Sequence, residues 1–430
     1  SVGEVMAIGR SFEEVLQKAI RMLSIGADGF AANKNGKFKI ADYLKEIKEP
    51  TTDRAFAIAE ALRRGVTIEK IHALSGIDLW FLSKMRNIIQ MEKKLKRSRL
   101  APALIHEAKR LGYSDKQIGF LVGKEEMFVR ELRIRSGILP SVKRIDTLAG
   151  EFPAQTNYLY MTYHGDEHDI APGKKNVIVL GSGPYSIGSS VEFDWSSVQV
   201  LSTLRDEKRE TVMINCNPET VSTDYDMSDR LYFEELSFER VLDIIRFEKP
   251  SGVVVSTGGQ IPNNLALTLH QNRVPILGTS PVNIDRAENR HSFSQLLDRL
   301  GIDQPPWAEL TTAVAAARTA EKFGYPVLIR PSYILSGSAM SVATDPVSLA
   351  KYLERAVTVS PEHPIVISKF IENAREIEID GVAAKGDLVV YAITEHVENA
   401  GTHSGDATVV LPPQRTYLET IRRAREVTKA

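Results

Sequence analysis

The sequence predicts a mixed fold: an all-α segment, then an α/β layer on a parallel sheet, then an α+β segment. Three observations predict it. Apolar residues recur at helical spacing up to about residue 170, and strand signals are nearly absent before Tyr158. From about Lys175, continuous apolar runs alternate with stretches long enough for a helix, the pattern of parallel strands covered on both faces. From about Asp285 the strand-like runs come closer together, the spacing of an α+β domain.

Ser11-Phe12-Glu13-Glu14, followed by Val15, Ala19, Ile20 and Leu23, reads as an N-capped amphipathic helix. Thr52-Asp53 caps a second helix through Leu62, closed by Gly65, and Thr67 opens a third that stops at Gly76. Asp78 begins a long helix to about Lys96, in which Leu79, Leu82, Met85, Ile88, Ile89 and Met91 repeat near helical spacing. The parallel strands are expected at Val177–Leu180, Thr211–Ile214, Gly252–Ser256 and Pro275–Gly278. Beyond them, helices are expected around Phe293–Leu300 and Val314–Phe323. Strands follow at Pro326–Ile329, Pro364–Ile367, Glu376–Ile379 and Leu388–Tyr391.

A chain of 430 residues, 43% of them hydrophobic and 25% charged, is large enough for several cores. Its 54 basic and 55 acidic side chains leave a net charge of -1, so no overall charge draws it to nucleic acid or to an anionic membrane. Cys216 is the only cysteine, which excludes an intrachain disulfide and a cysteine-based zinc site. No apolar run approaches the roughly 20 residues of a membrane-spanning helix, and Ser1–Arg10 does not read as a targeting peptide. The chain begins without Met and stops inside a charged helical pattern, Tyr417–Ala430, which reads as a piece cut from a longer protein.

Gly181-Ser182-Gly183-Pro184-Tyr185-Ser186-Ile187-Gly188 follows the first parallel strand, where glycines permit a sharp turn and close approach to a phosphate. The dinucleotide-binding fingerprint fails, because the second strand is followed by Asn215-Cys216-Asn217-Pro218-Glu219-Thr220 and not by an acidic residue placed for a ribose. No Gly-Lys-Ser/Thr sequence is present either. Asn217–Asp224 and Gly258–Asn264 each follow a buried-looking strand, which places both at the carboxyl edge of the sheet, where open α/β folds bind ligands. Arg330 ends a strand and leads into a small-residue loop through Leu335–Met340. A polyphosphate clamp and a plain exposed arginine beside a turn both fit that pattern. Glu395–Asp406 holds His396 and His403 among carboxylates and glycines, without the one-turn histidine spacing of common zinc motifs. Tyr113–Arg130 has the outline of a helix-turn-helix, and Lys93, Lys94, Lys96, Arg97 and Arg99 form a basic run. The balanced charge argues against nucleic-acid binding by either.

Gly181-Ser-Gly-Pro-Tyr185, Gly188–Asp194, Asn215–Asp224, Gly258–Asn264, Arg330-Pro-Ser-Tyr333 and Gly401-Thr-His-Ser-Gly-Asp406 occur in that order. Together they resemble the carbamoyl phosphate synthetase large (synthetase) subunit, of eukaryotic type, over essentially the whole chain. The resemblance implies the tail of the first synthetase unit at 1–24 and a helical oligomerisation domain at 25–170. A pre-ATP-grasp α/β domain follows at 171–284 and an incomplete ATP-grasp domain at 285–430. It implies an ATP-dependent ligase making carbamoyl phosphate from bicarbonate, ammonia taken from glutamine, and two ATP, for arginine or pyrimidine biosynthesis. It also implies a glutamine amidotransferase, separate or fused, as partner, and self-association through the helical domain. The implied location is cytoplasmic, or mitochondrial. A non-catalytic scaffold that keeps the ATP-grasp fold is the alternative.

By the same resemblance Arg290 and Arg330 touch nucleotide phosphates, Lys369 and Ile371 frame the adenine, and Glu376 accepts ribose hydroxyls. Gly401, Thr402, His403 and Ser404 form the loop beside the transferred phosphate, with His403 the catalytic candidate. Glu192 resembles a residue on the internal route of carbamate. Ser186 stands where an arginine is common and Thr402 where valine is usual. Mg2+ or Mn2+ is implied, with ligands expected beyond Ala430, so the chain alone is expected to lack carbamate kinase activity.

Overall fold

The Ser11 hydroxyl accepts a hydrogen bond from the Glu14 amide at 3.2 Å and starts α1 (Phe12–Met22), where the sequence places its first cap. The computed structural model describes residues 3–34, 40–186, 189, 191–331, 340–359, 365–402 and 407–430. They form two units, Ser1–Pro281 and Val282–Ala430.

In the first unit α1 is followed by α2 (Tyr43–Lys48), α3 (Arg54–Arg63), α4 (Ile68–Ser75) and α5 (Leu79–Arg97). Next come α6 (Pro102–Arg110), α7 (Asp115–Val122) and α8 (Glu126–Arg135). Gly76 closes α4 at φ 73°, a left-handed cap that a Cβ would strain. Asp53 stands at the N-cap of α3 as expected, although its side chain makes no capping bond. The sequence does not predict α2, whose six residues are too few to display a period. Ile20 of α1 joins Phe30, Ile58, Leu82, Ile88 and Ile118 in one core, so the first helix packs with the helices after it.

The chain then forms β1 (Ser141–Arg144), β2 (Tyr158–Thr162), β3 (Val177–Leu180), α9 (Val191–Asp206), β4 (Thr211–Asn215) and β5 (Arg230–Phe233). It continues with α10 (Phe238–Glu248), β6 (Gly252–Val254), α11 (Gln260–Gln271) and β7 (Ile276–Leu277). Among the described residues the strands make a seven-stranded sheet in the order β1-β2-β5-β4-β3-β6-β7. Strands β2 to β7 are parallel, whereas β1 runs antiparallel to β2, with Ser141 opposite Thr162. The sheet is therefore not wholly parallel. Both β1 and β2 lie inside the span 25–170 expected to be helical, yet β2 pairs with β5 of the α/β layer. The expected strands omit β5 as well, which Glu234 and Glu235 follow. Both are in fact buried, paired with Lys18 and Arg21 of α1.

Buried charge fastens the helices to the sheet layer. The Lys18 ammonium donates to Ile8 O at 2.9 Å, Met161 O at 2.6 Å and Glu234 Oε1 at 2.7 Å. Arg133 of α8 donates to both oxygens of Asp115 and both of Asp243, and Lys109 donates to Glu239 of α10. The helix-turn-helix outline is thus α7 and α8, and Arg130 and Arg133 are buried against Asp243 of α10. A hairpin that reads phosphates needs its cations on the surface, and these two are inside.

The second unit begins in α12 (Pro281–Glu288) and continues with α13 (Arg290–Arg299), β8 (Trp307–Leu310), α14 (Ala313–Phe323), β9 (Val327–Pro331) and β10 (Ser341–Ala343). After α15 (Pro346–Val359) come β11 (Ile365–Lys369), β12 (Ile377–Ala384), β13 (Asp387–His396), β14 (Val409–Val410) and α16 (Leu418–Lys429). Strands β10-β9-β11-β8 form an antiparallel sheet, and β12-β13-β14 form another. Ala316 and Ala320 of α14 and Leu349 and Leu353 of α15 pack on Val327, Ile329 and Ile367. This is the α+β arrangement that the close strand spacing predicts.

Candidate functional site

Arg330 is the fourth residue of β9, held opposite Val366 of β11. Arg290 is the first residue of α13, which Asn289 caps by accepting from the Ser292 amide at 2.9 Å. Both guanidinium groups are half-buried. Burial pushes the Arg290 group below its ordinary value, and burial and then Arg290 do the same to Arg330. Among the described residues neither forms an ion pair with a carboxylate. Arg290 Nη2 has only a 4.0 Å contact to Met340 Sδ, and Arg330 Nε is buried without a hydrogen-bond partner. Glu288 offsets this only in part at Arg290, and two partly desolvated guanidinium groups that repel each other favour a bound polyanion. The alternation along β9 puts Arg330 on the face opposite Val327 and Ile329, which face the core.

Lys369 ends β11 opposite Val327, so it shares the core-side face and not that of Arg330. Its ammonium donates to Gly324 O at 2.9 Å and Tyr325 O at 3.0 Å, and its amide donates to Pro306 O at 2.9 Å. Ile371, two residues on, is 56% exposed, an apolar side chain available to a flat ring. The Glu376 carboxylate accepts from the Gly401 amide at 3.1 Å, so one of the expected ribose groups is tied directly to the expected phosphate loop. Gly401 has φ 106°, a conformation that strains any residue with a Cβ. Thr402 donates to Asn399 O at 3.3 Å, consistent with a backbone role for that position. His403 and Ser404 lie outside the described residues. His396, the other histidine of this stretch, is buried and lies 3.3 Å from Glu378 Oε2.

In the first unit the carboxyl ends of β3, β4 and β6 carry the three polar loops to one edge, as the strand pattern predicts. Asn215 Oδ1 accepts from the Gly183 amide at 3.0 Å, Asn215 Nδ2 donates to Ser222 Oγ at 3.2 Å, and the Ser222 amide donates to Asp194 Oδ2 at 3.1 Å. Asp194 Oδ1 and Ser182 Oγ remain buried without a partner. Glu192 opens α9 at the surface, and Ser186 bridges to Ser189 within the first loop. The Cys216 thiol is buried and pushed up to about 12, by burial first and then by Glu235, so it is not a nucleophile. Gly258 is closely packed: a Cβ there would lie 2.4 Å from Leu180 O and 2.7 Å from Gly181 O, both backbone atoms. Gly258→Ala is expected to lower the urea midpoint of the first unit by the equivalent of about 1–3 kcal/mol. A midpoint equal to wild type would mean that the loop is not packed this closely.

Among the described residues no three histidine, cysteine, aspartate or glutamate side chains converge on a point that could hold a metal ion. The described residues therefore do not supply a divalent-cation site. No helix is long and apolar enough to cross a membrane. The ionic cluster of Lys109, Asp115, Arg133, Glu239 and Asp243 escapes sequence inspection altogether, since its partners lie up to 130 positions apart.

Three family models match the chain in succession. They are the carbamoyl-phosphate synthetase large-chain oligomerisation domain over residues 4–137, the carbamoyl phosphate synthase preATP-grasp domain over 173–286, and the carbamoyl-phosphate synthase L-chain ATP-binding domain over 289–428. The arginine-specific mitochondrial carbamoyl phosphate synthase large chain of Schizosaccharomyces pombe is 53% identical over 99% of this chain and 37% of its own length. The mitochondrial carbamoyl-phosphate synthase (ammonia) of Rattus norvegicus is 51% identical over 100% of this chain and 29% of its own length. The multifunctional protein CAD of Squalus acanthias is 52% identical, again over 100% of this chain, but over 19% of its own length. The chain thus spans between a fifth and somewhat over a third of these relatives. A solved D-alanine–D-alanine ligase from Bacillus anthracis overlaps 60% of this chain and 77% of its own, at 17% identity and a TM-score of 0.42, too low to carry an argument. Six ordered motifs, the succession of helical, α/β and α+β segments, and three consecutive family matches agree: the chain belongs to the carbamoyl phosphate synthetase large-chain family.

Proposed function

We propose that this chain supplies the association region and the front of the second nucleotide site in a ligase that makes carbamoyl phosphate from bicarbonate, glutamine-derived ammonia and two ATP. The pairing of Arg290 with Arg330, half-buried and without a carboxylate partner among the described residues, carries this reading. In it the two guanidinium groups receive the triphosphate, whose negative charge removes their mutual repulsion. Ile371 and the Lys369 backbone flank the adenine, and Glu376 accepts a ribose hydroxyl while steadying the Gly401–Thr402 turn. His403 and Ser404 complete the loop beside the transferred phosphate, with His403 stabilising the charge that develops there. Magnesium or manganese, when bound, would offset the phosphate charge in such chemistry. The helices up to α8 mediate self-association, and a glutamine amidotransferase, separate or fused, delivers the ammonia. The parent protein works in the cytoplasm or in mitochondria.

Calorimetric titration of the chain with ATP tests the reading. Replacing one charged hydrogen-bonding partner removes about 1.5–3 kcal/mol, so Arg330→Gln is expected to weaken ATP roughly ten- to hundredfold. Binding unchanged in that variant, or no saturable ATP binding by the wild-type chain, would overturn the nucleotide role and favour a scaffold.

A further inference from the structure

A groove of about 540 Å3 runs along α5 and α6 in the first unit and is closed on one side by His164, just past the carboxyl end of β2. Its floor is Met91 and Leu111, its rim carries Lys94, Arg110, His106 and His164, and Glu107 is the one carboxylate in its lining. Arg110 is fixed there in an unusual way. Its Nε lies 3.3 Å from His164 Nδ1, while His164 Nε2 lies 2.8 Å from Arg110 O. An arginine can only donate and a carbonyl can only accept, so the pair is made when Nδ1 accepts from Arg110 and Nε2 donates to its carbonyl. The clamp orients the guanidinium through Nε and leaves its terminal fork unengaged, with no ion pair to it among the described residues. Lys94 is bonded to Glu107 at 2.5 Å, but both side chains are 50% exposed. Such a pair is weak and its ammonium is free to turn toward a better anion.

We propose that this groove is a binding site for a small organic dianion, a phosphate monoester or a dicarboxylate. Its charge docks on the Arg110 fork and Lys94, and its apolar body lies on Met91 and Leu111. The planar guanidinium matches a two-oxygen anion, and its fixed orientation lowers the entropy lost on binding. The volume falls in the range of small-molecule sites. Nothing in this assignment depends on the nucleotide reading of Arg290 and Arg330, which lie in the other unit.

The test is calorimetric titration of the chain with phenyl phosphate, phthalate and, as an uncharged control, benzyl alcohol. Saturable binding of a dianion is expected, weakened at least tenfold by Arg110→Gln and by Ala103→Trp. The second variant changes an exposed α6 residue that lines the groove, adds bulk, and removes no charge. Arg330→Gln is expected to leave this binding intact. Binding of phenyl phosphate alone assigns the site to phosphate monoesters, and binding of both to dianions in general. No dianion binding, binding insensitive to both groove variants, or equal binding of benzyl alcohol would each overturn the proposal. So would a dianion lost only in Arg330→Gln.

Discussion

Arg133→Ala is expected to lower the unfolding free energy of the first unit by about 3–5 kcal/mol, the loss on removing one partner of a buried ion pair. The Arg133 side chain is fully buried, and its guanidinium reaches Asp115 Oδ2 at 2.7 Å, Asp243 Oδ2 at 2.9 Å and Glu239 Oε1 at 3.8 Å. Burial opposes its charge, but Tyr163 and these three carboxylates together outweigh burial and hold it protonated. Without it, the three carboxylates face one another with Lys109, Arg130 and Arg240 as the remaining cations that act on them. Urea unfolding followed by tryptophan fluorescence measures the loss. The deficit should shrink as pH falls, because burial and then Glu239 already push the Asp115 carboxyl up, and its protonation relieves the repulsion. A loss below about 1 kcal/mol would show that water replaces the guanidinium and that the cluster is not sealed.

Glu126→Gln is expected to act in the opposite direction, and only at neutral to alkaline pH. Glu126 begins α8, where a helix N-terminus would ordinarily favour the carboxylate. Burial, then Glu239 and Asp115, override that and push its carboxyl up to about 7. A raised acid pKa means that the folded chain holds a proton which the unfolded chain has already released. Stability contributed by this group is therefore complete below about pH 4.5 and falls as pH rises toward 7, by about 3 kcal/mol in all. Glutamine carries no charge to desolvate, so the variant should gain roughly that amount at pH 8 and almost nothing at pH 4. Equal curves for the two proteins across this range would mean that Glu126 ionises as freely in the folded chain as in the unfolded one.

The elements that showed in the sequence are those whose signal is local. Ser11 and Glu14 lie within one turn, so their cap is legible, and the apolar repeat of α5 reads at its own period. The parallel strands read as unbroken apolar runs because both faces are covered. Their carboxyl ends in turn fix where the loops at Gly181, Asn217 and Gly258 must sit. What stayed hidden has its cause elsewhere in the chain. β5 is followed by Glu234 and Glu235, whose burial depends on Lys18 and Arg21, 216 and 214 positions away, as well as on the nearer Arg240 and Ser237. β1 exists because β2 offers it an edge, and its four residues carry no alternation long enough to count.

The candidate site divides along the same line. Order and spacing of motifs were enough to establish the family, the succession of helical, α/β and α+β segments, and the residues to inspect. Only the tertiary structure showed that Arg330 Nε is buried without a hydrogen-bond partner and that the charge of Arg290 reaches it. It alone showed that the Lys369 ammonium is held by two carbonyls, and that Glu376 meets the Gly401 loop. Likewise Arg130 and Arg133, basic residues on a helix shaped like a DNA reader, turn out to be internal. The physical reason is that residue identity determines what a side chain can bind, whereas burial and long-range pairing determine what it does bind. A charged residue carries no local mark of whether its partner is water or another residue brought in by the fold.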